Sequence, residues 1–172
     1  QVGIYTNAVA LGETMWQISG SIGTVVFPMT TNSKDKRNMK EFINKVTRVT
    51  FTIIVICAIM LIIISKPLIL LLLGKDFAKS ATALVLIIPG ITVFSISNIL
   101  SNYIAGIGKI EKNIIASVTA CIVTVSLDFI LIPRIGINGA SIASSISYTV
   151  FTMITLFFYT RMTQSKLSDL LI

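Results

Sequence analysis

Apolar residues fill this chain in five long runs, and the charged residues gather almost entirely in the gaps between them. Each run is about as long as a helix needs to cross a bilayer, roughly 20 residues at 1.5 Å rise against a hydrocarbon core of about 30 Å. A water-soluble helix of this length would carry an apolar stripe and a polar face, not apolar residues all round. The runs predict spans over residues 4–27, 49–65, 81–104, 113–132 and 138–159. The first is the most polar and is expected to end at Phe27-Pro28, with a basic loop from Lys34 to Arg48 after it. Lys66-Pro67 interrupts the second, and residues 68–73 are too few to cross, so they extend the helix or turn along the interface before Gly74. Pro89-Gly90 predicts a kink in the third span. The fourth stops at Pro133, and only a few residues separate it from the fifth, which predicts a tight antiparallel hairpin. The fold class is therefore all-α, a polytopic transmembrane bundle of five spans.

Composition supports this. Apolar residues make up 54% of the chain and charged ones 12%, about half the charge of an ordinary soluble domain. The net charge of +7 would suggest nucleic acid in a soluble protein. Here the cations sit at span ends, where they set topology and meet anionic headgroups, and no nucleic-acid partner is expected. Ten lie on one side: Lys34, Lys36, Arg37, Lys40, Lys45, Arg48, Lys109, Lys112, Arg161 and Lys166. Four lie on the other: Lys66, Lys75, Lys79 and Arg134. That bias places the basic loop and the C-terminus in the cytoplasm and Gln1 outside. No signal peptide precedes the first span, and an outside N-terminus on an odd number of spans leads us to expect a fragment whose upstream helices are missing.

The chain has no histidine, and Cys57 and Cys121 lie apart inside apolar runs. Zinc sites and histidine acid–base chemistry are thereby excluded, and the cysteines read as small packed side chains. No cofactor or metal is expected.

Polar residues inside the spans carry the chemistry. An acid at mid-membrane costs about 2.5–3.5 kcal/mol on insertion scales, so Glu13 should face protein or water rather than lipid. Gln17, Ser21 and Thr24 follow it at helical spacing, with Asn7 and Thr14 close by. This face is either the wall of a hydrated cavity, with Glu13 binding a proton or cation, or a surface for interhelical hydrogen bonds. Ser95, Asn98, Asn102 and Gly106 share a face of the third span, suited to a sugar-like ligand or to joining helices. Asp128 in the fourth span is either an ion or substrate contact or an acid reaching the outer surface or a neighbouring helix. Gly139, Ala143 and Ser147 recur every four residues, which lets two backbones approach closely, so this is an assembly face. No lysine or arginine lies at the centre of a span. An anionic substrate would have to find its counter-charge at span ends or on other helices.

Several strings recur together: Val2-Gly3-Ile4-Tyr5 with Ala8 and Phe27-Pro28; residues 67–73 with Gly74 and Phe77; Gly106 with Gly108-Lys109; and Ile132-Pro133, Gly136, Gly139-Ala140, Ile142-Ala143-Ser144 and Ser147-Tyr148. In this order and spacing the chain resembles the C-terminal half of bacterial polysaccharide (O-antigen type) flippases, within the multidrug/oligosaccharidyl-lipid/polysaccharide exporter superfamily. The resemblance covers nearly the whole chain and makes residues 1–172 a polysaccharide-biosynthesis C-terminal-type membrane domain. It implies two six-helix lobes, these being the last five helices, with the N-terminal lobe missing. It implies alternating access that carries an undecaprenyl-diphosphate-linked oligosaccharide across the bacterial cytoplasmic membrane. The first and third spans would line the cavity, and Glu13 would couple transport to a proton or cation. Alternatives are a cation-coupled multidrug exporter of the same superfamily and a non-transporting scaffold. A lipid-sugar transferase would need clustered acids for a metal, or a base beside a nucleophile, and Glu13 and Asp128 sit on different spans.

Overall fold

The computed structural model describes residues 2–33, 35–74, 77 and 79–164. Five helices follow one another: α1 (Val2–Asn32), α2 (Lys36–Leu73), α3 (Lys79–Gly106), α4 (Ile110–Ile135) and α5 (Ile137–Thr163). The molecule is an all-helical, polytopic membrane bundle. Helices α2 to α5 are long and apolar enough to cross a membrane by length and composition. Helix α1, at 31 residues, is long enough, but Asn7, Glu13, Gln17 and its serines and threonines make it less apolar.

The helices outrun the predicted spans, and the prolines explain why. Pro28, Pro67, Pro89 and Pro133 all lie inside helices. Each removes one backbone hydrogen bond. Breaking the helix in hydrocarbon would expose several unsatisfied groups instead of one, so the helix continues. Helix α1 thus runs on to Asn32 past the expected stop at Pro28 and α4 to Ile135 past Pro133, while α2 continues through Lys66-Pro67 to Leu73, the helix extension expected for residues 68–73 and closed by Gly74.

The expected basic loop is also mostly helix. Asp35 caps α2: its Oδ1 accepts from the backbone N–H of Arg37 and Asn38 at 3.0 and 3.1 Å, groups that would otherwise lack partners. Helix α2 then runs 38 residues, about 57 Å at 1.5 Å per residue. That exceeds the hydrocarbon thickness and carries its basic turns beyond it.

Helix α3 is the centre of the bundle, packing against α1, α5 and α2, while α4 packs mainly on α5. One buried cluster joins Met15, Ile54, Ile69, Leu84, Ile87 and Ile91. A second, toward the basic end, joins Val26, Ile43, Ile99, Leu100, Ile104 and Tyr159. Helix α4 turns Ile110, Ile114, Ile122 and Phe129 outward, the last 79% exposed, as a lipid-facing helix should. The hairpin forms as expected, with Gly136 alone between α4 and α5. The small-residue face does what its spacing predicts. A Cβ on Gly139 would lie 2.5 Å from the Leu131 carbonyl oxygen, and Ala143 and Ser147 are buried beyond it.

Candidate translocation groove

Helices α1 and α3 pack along much of their length, and the junction is polar where the neighbouring core is aliphatic. The Asn98 carboxamide Nδ2 donates to Ser19 Oγ at 3.0 Å, bridging the two helices. Ser19 is buried and passes its own hydrogen to the Trp16 carbonyl at 2.9 Å. Beside this bridge lies a groove of about 490 Å³, lined by Trp16, Gln17, Gly20, Ser21 and Thr24 of α1 and by Phe94 and Asn98 of α3.

Gln17, Ser21, Thr24 and Asn98, expected from the sequence, are therefore brought together. The Ser21 hydroxyl donates to the Gln17 carbonyl at 2.8 Å and that of Thr24 to the Ser21 carbonyl at 2.7 Å. Those hydrogens are spent within α1, and the oxygens present lone pairs. Gln17, Ser21 and Thr24 are all exposed.

The other expected residues are placed differently. Glu13, one turn before Gln17, is half-buried, is absent from the groove lining, and makes no ion pair among the described residues. Asn102, one turn beyond Asn98, donates to the Asn98 carbonyl at 2.7 Å. Ser95 is buried at 1% exposure and donates to the Thr92 carbonyl, so it packs the bundle instead of lining the groove. Asp128 sits on α4, which has only slight contact with α3 and contributes nothing to the groove. Its Oδ1 is buried without a hydrogen-bond partner among the described residues. The side chain of Asn7 lies outside the described residues.

Sequence reasoning missed Trp16 and Phe94. Their ring centroids are 5.4 Å apart. Phe94 is held in turn by Tyr148 at 4.9 Å and Phe151 at 5.3 Å. The signal was the chain's single tryptophan immediately before a mid-span glutamine.

Cations collect elsewhere. Arg37, Lys40, Lys45 and Arg48 line a depression of about 690 Å³ on α2 together with Glu41 and Asn44. A pocket of about 550 Å³ includes Thr30, Thr31, Tyr103 and Lys109 where α1 and α3 end. No group of three or more His, Cys, Asp or Glu that could hold a metal occurs among the described residues.

The molecule is thus a multi-pass helical bundle with an uncharged polar groove between α1 and α3, and its class as a membrane transporter rests on the family it matches. Residues 2–171 match the family model described as lipid II flippase MurJ. The chain belongs to that family. No curated protein matches it. The resemblance seen in the motifs holds at the level of flippases for lipid-linked precursors, and the matching family is not specifically the O-antigen one.

Proposed function

We propose that this chain forms one wall of the path by which a polyprenyl-diphosphate-linked saccharide crosses the cytoplasmic membrane. One observation carries this reading: Gln17, Ser21 and Thr24 are exposed on α1 and meet Asn98 of α3 in a single groove. Facing acyl chains, the Gln17 carboxamide would be left without partners at a cost of kcal/mol order, while the Ser21 and Thr24 hydroxyls, bonded to α1 carbonyls, would keep unused acceptor lone pairs. Water and a polar ligand on that side remove the cost. Further protein must then cover the groove's open side, as the second lobe would in a transporter that works by alternating access. The family supports a lipid-linked substrate, and undecaprenyl diphosphate carrying an oligosaccharide fits both it and the cationic turns of α2. The basic end of the bundle, with the C-terminus of α5, would face the cytoplasm.

Glu13 is proposed as the coupling site for a proton or cation, because a carboxyl one turn from the groove is dear to keep in a membrane without a use. The same carboxyl favours the second reading, a cation-coupled exporter of cationic drugs.

The test is transport of a fluorescent lipid-linked saccharide across proteoliposomes holding the complete protein, with and without a pH or sodium gradient. The expected result is gradient-stimulated translocation of the lipid. Glu13→Gln should lower the gradient-driven rate by tenfold or more, leaving the rate without a gradient within about twofold. Export of lipophilic cations with no movement of the lipid would replace the flippase with the drug exporter.

A further inference from the structure

We infer that the α1–α3 groove is a saccharide subsite, gripping the uncharged sugar of the lipid-linked substrate and leaving its diphosphate to cations elsewhere. This rests on the flippase reading above and deepens it by assigning a part of the substrate to a place in the fold.

Three features of the groove point to a neutral polyol. None of the seven lining residues is ionisable, so nothing there offers the charge-assisted bonds that a diphosphate requires. The polar groups are of mixed character. Ser21 and Thr24 present acceptor oxygens, their hydrogens already given to α1 carbonyls. Asn98 has one amide hydrogen engaged by Ser19, which turns its carboxamide toward a fixed orientation. Gln17 adds a carboxamide and Trp16 an indole N–H. A sugar hydroxyl both donates and accepts, so this mixture suits it, whereas an anion would use only the donors and an ammonium only the acceptors.

The third feature is aromatic. Trp16 and Phe94 supply flat apolar surface beside the amides, and the contacts of Phe94 with Tyr148 and Phe151 hold that surface in place. Sugar rings have apolar C–H faces and hydroxyl edges, matching an aromatic wall flanked by hydrogen-bonding groups. A volume of about 490 Å³ lies within the usual range of small-ligand sites. The cationic depression of about 690 Å³ on α2 shares no residue with the groove.

The experiment measures binding of two lipids to the complete protein in nanodiscs: a polyprenyl-diphosphate-linked disaccharide, and the same polyprenyl diphosphate without sugar. The sugar-bearing lipid should bind about tenfold tighter, as one or two net hydrogen bonds and a stacking contact imply. Gln17→Leu and Trp16→Leu should each reduce that ratio by about three- to tenfold. Trp16 packs on the core, so Trp16→Leu can cost stability. Gln17 is exposed, so Gln17→Leu keeps the test decisive. Equal binding of the two lipids, or variants that weaken both alike, would overturn the subsite and leave the flippase reading standing. Binding of neither lipid would overturn both. Displacement of the sugar-bearing lipid by tetraphenylphosphonium would assign the groove to organic cations and overturn the subsite.

Discussion

The Tyr159 hydroxyl donates to Asn44 Oδ1 at 2.6 Å, joining α5 to α2 across 115 positions of sequence, with both residues buried. A buried acceptor stripped of its donor costs about 1–3 kcal/mol. Tyr159→Phe keeps the ring on Tyr103, 5.3 Å away, and removes only the hydroxyl. Its expected effect is a fall in unfolding temperature of about 2–4 °C per kcal/mol lost, read by thermal denaturation in nanodiscs. An unchanged temperature would mean that the bond is not formed in the membrane. Residue-scale reading from the sequence was partial for a definite reason. Helical spacing placed Ser95, Asn98 and Asn102 on one face, yet Ser95 is buried while Asn98 reaches the groove. Helix α3 is enclosed by α1, α2 and α5, so a shift of three residues moves a side chain from a groove into a helix contact. Periodicity names the face but not what covers it.

Between elements, small residues set how closely helices approach. A Cβ on Gly90 of α3 would lie 2.4 Å from the Ser145 Cα of α5, whereas one on Gly20 of α1 would meet nothing within 4 Å. Alanine in place of glycine favours a helix by up to about 1 kcal/mol in both positions. The two substitutions should therefore differ in sign. Gly20→Ala should raise thermal stability slightly, and Gly90→Ala should lower it by more than about 1 kcal/mol, because a backbone cannot step aside as a side chain can. Equal unfolding temperatures would refute the close α3–α5 packing. The hairpin of α4 and α5 and the assembly face at Gly139, Ala143 and Ser147 were legible in advance, since turn length and four-residue spacing are local properties. The continuation of α1 and α4 past proline was not. It depends on a medium that makes a broken helix costlier than one lost hydrogen bond.

For the whole molecule, the long α2 carries Arg37, Lys40, Lys45 and Arg48 past the hydrocarbon on one side of the bundle. A cysteine at Glu41→Cys, in a chain with Cys57 and Cys121 replaced by serine and alanine, should react with an impermeant maleimide from the cytoplasmic side alone. Labelling from outside would invert the bundle. On the proposed flippase reading the same experiment bears on function, since the cationic turns would meet a diphosphate on the cytoplasmic face only if they lie there.

The sequence by itself determined that this chain is a bundle of membrane helices, where the apolar centre of each lies, and which few polar side chains fall within them. Those properties follow from apolar length and helical period, which are fixed along the chain. Tertiary structure decided which sheltered groups meet. It joined Gln17, Ser21 and Thr24 to Asn98 beside an aromatic wall, left Glu13 one turn away, and set Asp128 on a peripheral helix. A lipid-like medium gives apolar helices little preference for one another. Close approach of small residues and a handful of hydrogen bonds make that choice, and these act between positions far apart in the chain.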